Sequence, residues 1–182
     1  DVNGAPIATT VIAKNITCDQ TLIKDPGAVA NQLAPLLGLP AEQLIPSLTG
    51  DKRFSYVAKQ ITPEKWKEVA ALDIAGIFAE PTTMRVYPNG MLAGSVVGYV
   101  GAEGHGLGGL EFGIDEQLAG KDGSTVVERV NGREIPGSER DSVTPVDGLT
   151  VNLTIDRDIQ AVAERALVER VAFAGASGGT VV

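Results

Sequence analysis

At 182 residues, 43% hydrophobic and 21% charged, the chain can bury a core and is long enough for one ordinary domain or two small ones. A formal charge of -8 argues against the concentrated positive field that a nucleic-acid backbone or an anionic membrane surface requires, and points to basic partners or none. One cysteine and one histidine supply neither an internal disulfide nor a zinc-type ligand set, and no apolar run approaches the roughly 18 to 20 residues of a membrane span.

The opening Asp1-Val2-Asn3-Gly4 reads as a tight turn, and Thr9 to Thr17, rich in β-branched residues, as a strand with Cys18 at its end. Asp25 caps and Pro26 opens a helix carrying Val29, Leu33, Leu36 and Leu37 until Gly38 stops it. A second helix follows Pro40 on Leu44, Ile45 and Leu48 and ends at Gly50. Phe54 to Ile61 alternates like a strand, and Thr62-Pro63 opens a third helix through Trp66, Val69 and Leu72. Residues 25 to 72 thus read as a small helical lobe inserted in a β framework, with Trp66 anchoring its core. Ile74 to Phe78 and Thr82 to Tyr87 read as two extended pieces separated by Glu80-Pro81.

From Arg85 to Gly120 the chain reads as a Tyr-Pro-Asn-Gly turn, an apolar strand, a glycine-rich loop and a short acidic helix. Ser124 to Val130 and Arg133 to Ile135 flank Asn131-Gly132, a hairpin signal. The stretch from Pro136 to Gly148 reads as a polar connector, and Leu149 to Ile155 as an alternating strand. Asp156 then caps a long helix with an apolar stripe on Ile159, Val162, Ala163, Ala166 and Val171. Gly178 to Val182 reads as the start of a buried strand, so both ends look like cuts from a longer protein.

Gly104, Gly106 and Gly109 satisfy the Gly-x-Gly-x-x-Gly spacing of a dinucleotide site, with Glu128 near the position of a ribose-binding acid. The hairpin-rich surroundings instead favour a loop that needs glycine conformations. His105 could act as a general base oriented by Glu103, Glu111 or Asp115, although no nucleophile stands at a recognisable motif position. Cys18 reads as a small, half-buried apolar residue, with a reactive thiol as the alternative. Arg85 and Glu111 open or close elements of the central stretch; they either form a charge-assisted tie or stand independently solvated. No cofactor or metal is expected.

Several motifs fall in a recognisable order: Arg85-x-Tyr87-Pro88-x-Gly90, then Val97-Gly98-Tyr99-Val100-Gly101, Gly108-Gly109-Leu110-Glu111, and Leu118-Ala119-Gly120-Lys121-Asp122-Gly123. With Leu149 to Gln160 and Ala163-Glu164-x-Ala166-Leu167, this order resembles the N-terminal module of class B penicillin-binding proteins. Asp1 to Ala8 resembles the remnant of that family's opening Arg-Gly-x-Ile-x-Asp-Arg-Asn-Gly box, cut at its aspartate and with Val2 where arginine is usual; the missing opening arginine would be a partner of Glu111. The resemblance implies an α+β, elongated, β-hairpin-rich pedestal or dimerisation domain over residues 1 to 148, with its helical insert at about 25 to 72. Residues 149 to 182 would be the edge of a transpeptidase domain.

The implied role is noncatalytic. It consists of positioning a peptidoglycan D,D-transpeptidase outside the membrane and docking membrane glycosyltransferase and division proteins, with a homodimer left open. Membrane attachment would come from an anchor preceding this sequence. The glycine loop's Gly-His-Gly-Leu-x-Gly-Leu-Glu form is most similar to the septal type. The motif residues carried over are Arg85, Tyr87, Pro88, Gly90, Gly109, Leu110, Glu111 and Gly120, all structural. The family's acyl-transfer chemistry requires a Ser-x-x-Lys nucleophile with Ser-x-Asn and Lys-Thr-Gly boxes. This sequence contains none of the three, and Ser55 has its lysine at the fourth position.

Overall fold

The computed structural model describes residues 1–130 and 133–181. In chain order it contains β1 (Thr9–Cys18), α1 (Pro26–Leu37), α2 (Ala41–Leu48), β2 (Ser55–Ile61), α3 (Pro63–Ala70) and β3 (Ile77–Val86). There follow α4 (Gly94–Val97), β4 (Tyr99–Val100), β5 (Gly106–Gly108), α5 (Gly109–Gly113) and α6 (Asp115–Leu118). The last elements are β6 (Ser124–Val126), β7 (Arg129–Val130), β8 (Arg133–Glu134), β9 (Arg140–Val143) and α7 (Arg157–Ala174). This is an α+β arrangement, with one three-stranded sheet in the order β2-β1-β3 and two-stranded pairs β4-β5, β6-β9 and β7-β8.

The chain divides into two compact units. One comprises Thr10–Met84 and Val126–Arg140. Its helices start where local hydrogen bonding permits: Asp25 accepts from the Ala28 amide at 2.9 Å, and Thr62 from the Lys65 amide at 3.3 Å. Gly38 ends α1 in the left-handed conformation, φ 67. Facing residues Leu33 of α1, Leu44 and Leu48 of α2 and Val69 of α3 close over Ile16, Cys18, Val57 and Ile61 of β1 and β2 to form one core. Each fully buried leucine there contributes roughly 1.5–3 kcal/mol. The segment from 25 to 72 therefore shares its core with β1, and β2 within it pairs antiparallel with β1.

Gln20 is a buried polar clamp in this unit. Its Nε2 donates to the Ser47 carbonyl at 2.9 Å and its Oε1 accepts from the Lys52 amide at 3.0 Å, so the turn between α2 and β2 is held without an unpaired polar group. Asn15 ties all three strands: Oδ1 accepts from the Gln60 amide at 2.9 Å and Nδ2 donates to Glu80 at 3.1 Å. Gln60 is left-handed (φ 54), beside a stretch of irregular register against β1.

Four expectations change here. Glu80-Pro81 does not divide two pieces but lies inside β3, because β3 is an edge strand where a proline's missing N–H breaks no ladder. Cys18 is fully buried, 1% exposed, rather than half-buried. Trp66 packs only at the border of the core, and Ile45 stays 37% exposed, because Leu44 and Leu48 already fill the inward face of α2.

The other unit comprises Asp1–Thr9, Arg85–Thr125 and Asp141–Val182. Its core is small: Ile7, Ala93 and Val97, with Ala8, Tyr87, Leu153 and Ile155 packed around them. Asp156 caps α7 by accepting from the Asp158 and Ile159 amides at 2.9 and 3.1 Å, and Gly175 (φ 61) ends it.

Several sequence expectations fail in the C-terminal half. The apolar run expected to be a strand is split: residues 94–97 form α4, and the positive φ of Gly98 (82) restarts the chain as β4. Strand 124–130 breaks into β6 and β7, and the polar connector contains β9, which is wholly exposed yet pairs with β6. Leu149 to Ile155 forms no strand. It has hydrogen bonds at its ends, from the Leu149 amide to Gln117 and from the Val2 amide to Ile155, both 2.8 Å, and only Leu153 and Ile155 reach the core. Residues 178–181 are exposed and form no strand. The apolar stripe of α7 is not buried, with Ile159 70% and Val162 65% exposed. The turn predicted at Asn131-Gly132 lies outside the described residues, although β7 and β8 on either side pair antiparallel.

Candidate functional site

The site is built from the turn after β3. Tyr87-Pro88-Asn89-Gly90 closes with the Gly90 amide on the Tyr87 carbonyl at 2.9 Å, Pro88 presetting its φ and Gly90 adopting φ 61. The Asn89 side chain donates to the Pro6 carbonyl at 3.1 Å and pins the turn to the opening segment. The chain then makes α4, β4 and β5 and returns through Gly109 (φ 56), where an added Cβ would lie 2.5 Å from the Val96 carbonyl oxygen. Gly98 likewise faces the Gly108 carbonyl with no room for a side chain. Backbone contacts backbone here, which is why glycine is required at both positions.

That approach delivers Glu111, on the first turn of α5, into a site where it is only 4% exposed. Arg85 Nε donates to Glu111 Oε1 at 2.9 Å. The Tyr87 hydroxyl hydrogen-bonds the same carboxylate and accepts from the Val100 amide at 3.1 Å. Burial raises the Tyr87 pKa above its ordinary value, and the Glu111 charge raises it further; the Val100 amide and Arg85 oppose both. A buried carboxylate without partners would be costly; with a guanidinium and a phenol on it, Glu111 is a satisfied counterion joining β3, the turn and α5. Leu110 beside it is half-buried. Gly120 (φ 70) serves a different contact, where its backbone meets Val146 to Gly148 beside the reciprocal Lys121 and Val146 hydrogen bonds of 2.8 and 2.9 Å.

The glycine loop does not form a phosphate cradle. Gly106 is packed against the backbone of Glu111 and Phe112 and Gly109 against that of Val96 to Gly98, so protein fills the space a pyrophosphate would need. The helix that follows covers only Gly109–Gly113. His105, with its side chain 74% exposed, pairs with Asp115 at 3.3 Å, whose other oxygen accepts from the Gly106 amide at 2.9 Å. The Gly106 amide bond, followed by His105, holds the Asp115 carboxyl below its ordinary value. The pair closes the loop onto α6, while Glu111 is committed to Arg85 and Tyr87. Among the described residues, no group of three or more His, Cys, Asp or Glu is placed to hold a metal ion.

Two further ties carry no recognisable mark in the sequence. Glu164 of α7 accepts from the Ala93 amide at 2.8 Å, and Asn3 donates to Asp156 at 3.0 Å. The first had no available signal beyond the i,i+4 spacing of Gln160 and Glu164, because its target is a backbone amide.

Fold and site together define an α+β module whose polar centre is an internal tie between elements. The chain belongs to the penicillin-binding protein dimerisation domain family, whose model matches residues 1–153. It is 31% identical over 92% of its length to stage V sporulation protein D of Bacillus subtilis, of which it covers 26%. It is 38% identical over 75% of its length to penicillin-binding protein PbpB of Mycobacterium tuberculosis, of which it covers 20%. It is 28% identical over its whole length to the peptidoglycan D,D-transpeptidase FtsI of Escherichia coli, of which it covers 32%. The chain thus spans about a fifth to a third of these relatives.

Two solved structures share the fold. A peptidoglycan synthetase from Bifidobacterium adolescentis matches with a TM-score of 0.55 and 31% identity, over 94% of this chain and 37% of that one. The penicillin-binding protein PBP2 complexed with MreC, from Helicobacter pylori, matches with a TM-score of 0.68 and 22% identity, over 92% and 36%.

Proposed function

We propose that this chain is the noncatalytic pedestal segment of a class B penicillin-binding protein, a peptidoglycan D,D-transpeptidase of the septal type. It orients the catalytic domain on the extracytoplasmic side of the cell membrane and docks cell-wall synthesis partners. The observation that carries this reading is the family match over residues 1–153 in a chain lacking the Ser-x-x-Lys, Ser-x-Asn and Lys-Thr-Gly boxes. Residues 1 to 148 form the pedestal, and 149 to 182 open the transpeptidase domain; the uncovered apolar stripe of α7 supports that division.

Membrane glycosyltransferase and division proteins are the proposed partners, in keeping with the similar fold that is complexed with MreC. The test is a titration with fluorescent penicillin and with dinucleotides. The chain stays unlabelled and binds neither saturably; a covalent adduct would overturn the noncatalytic reading, and saturable dinucleotide binding would restore the glycine-loop alternative.

Within this reading the region from 25 to 72 carries the partner surface, since its Phe54 (52% exposed) and Ile45 (37% exposed) are large apolar groups open to solvent. Its helices belong to the core shared with β1, so deletion would unfold the unit and surface substitution is the usable probe. Ile45→Glu with Phe54→Ser in the parent protein weakens capture of the membrane glycosyltransferase; unchanged capture would refute this placement.

A further inference from the structure

We infer that Glu164 is a positioning residue: from two turns inside α7 its carboxylate holds the Ala93 amide, and so fixes the direction in which α7 leaves the Ile7, Ala93 and Val97 core. The Ala93 N–H to Glu164 Oε1 distance is 2.8 Å, and Gln160 Nε2 donates to the same oxygen at 2.8 Å. Ala93 adopts the left-handed conformation (φ 52, ψ 26), which alanine keeps only where its surroundings over-determine it. Its carbonyl accepts from the Val96 and Val97 amides, both at 2.9 Å, and the residue is 3% exposed. Its own N–H, at the start of α4, has no partner within that helix, and the Glu164 carboxylate supplies one.

The other end of α7 is held separately. Asn3 donates to Asp156 at 3.0 Å, the Arg157 amide donates to Asp1 Oδ2 at 3.3 Å, and the Val2 amide donates to Ile155 at 2.8 Å. From Asp156 to Glu164 the helix axis advances ~12 Å at its ordinary rise. One attachment would leave α7 free to pivot, whereas two that far apart define its direction. Packing holds α7 only weakly, because Ala163, Leu167 and Val171 are no more than half-buried and Ile159, Val162, Val168 and Phe173 are each at least 65% exposed.

The consequence rests on the proposal that 149 to 182 open the following domain: that domain inherits the direction of α7. Tyr87, bonded to Glu111, packs against the same small core, so the Arg85 tie and the Glu164 tie bear on one set of residues.

The test uses the 182-residue chain with Glu164→Ala, Glu164→Asp and Glu164→Gln, read by amide hydrogen exchange at Ala93 and by residual dipolar couplings of α7 against α4 and α5. Removing the acceptor, or shortening it by one methylene, accelerates Ala93 exchange ~10- to 100-fold, the loss expected for a hydrogen bond to a charged group. It also takes the α7 couplings out of the alignment frame shared with α4 and α5. Glu164→Gln, which keeps an acceptor oxygen, changes exchange less than ~10-fold and keeps the common frame. Ala93 exchange near wild type in Glu164→Ala and Glu164→Asp, or a shared frame in those variants, would overturn the inference. Both readouts lie within this chain, so a domain boundary found elsewhere would remove the consequence and leave the positioning result standing.

Discussion

Arg85 Nε lies 2.9 Å from Glu111 Oε1, and the two side chains are 22% and 5% exposed, so the carboxylate depends on the guanidinium for its charge balance. Replacing Arg85 by methionine leaves a buried charge uncompensated and destabilises the chain by about 3 kcal/mol or more, whereas Glu111→Gln costs about 1–2 kcal/mol. The double variant is less destabilised than the sum, with a coupling of about 1–3 kcal/mol. Urea denaturation of the four proteins measures this; additive effects would show that the pair is not a tie.

Among the glycines of the central stretch, two kinds make different demands. Gly98, Gly106 and Gly109 touch backbone where a Cβ would go, while Gly90 and Gly104 have nothing within 4 Å and bear only a positive φ. Alanine at Gly90 or Gly104 therefore costs about 1 kcal/mol, the ordinary left-handed penalty. At Gly98 or Gly109 it forces apart α4 and α5 and costs about 3 kcal/mol or more. Thermal unfolding of the four single variants ranks them.

Cys18 and Tyr87 make the protein sensitive to alkali. Burial pushes the Cys18 thiol from 9.0 up to about 11, with the neighbouring Asp19 adding to it, and burial with Glu111 raises Tyr87 above 10.0. For both groups the folded state favours the protonated form. The Cys18 contribution is therefore complete below pH 9.0 and is lost as pH rises through about 11; that of Tyr87 begins to fade only above pH 10.0. The unfolding midpoint falls over this interval, and Cys18→Ala flattens its lower part. In the folded chain at pH 8 a disulfide reagent leaves Cys18 unmodified, and it reacts on adding denaturant.

Acid acts on different residues. The Gly106 amide bond, then His105, lowers the Asp115 pKa, and the Ile159 amide, then Asn3, lowers that of Asp156. Both contributions are present above the ordinary carboxylate value of 3.8 and are lost as pH falls below it. Amide exchange at Gly106 and Ile159 rises in that window ahead of the core, and Asp115→Asn brings faster exchange at Gly106 already at neutral pH.

Helix ends were legible because they are settled locally: Asp25, Thr62 and Asp156 each cap with their own side chains. Strands were less so. The alternation of Leu149 to Ile155 has no ladder partner, and Pro81 looked like a break only because the edge position of β3 cannot be seen in one dimension. The pairing of Arg85 with Glu111 was open as a candidate from the position of each residue in the central stretch. The tie from Glu164 to Ala93 was not, since it spans 71 positions and ends on a backbone amide that no side-chain pattern marks.

In the function proposed above, this module positions a catalytic domain without taking part in its chemistry. The most direct measurement is made on the parent protein carrying Glu111→Gln, a substitution that keeps the shape of the site and removes its charge. Its rate of acylation by fluorescent penicillin is compared with its ability to support peptidoglycan cross-linking in cells. The expected result is an acylation rate within about twofold of wild type, less than 0.5 kcal/mol in barrier, together with a loss of cross-linking in cells. An acylation rate that falls in step with cross-linking would contradict it.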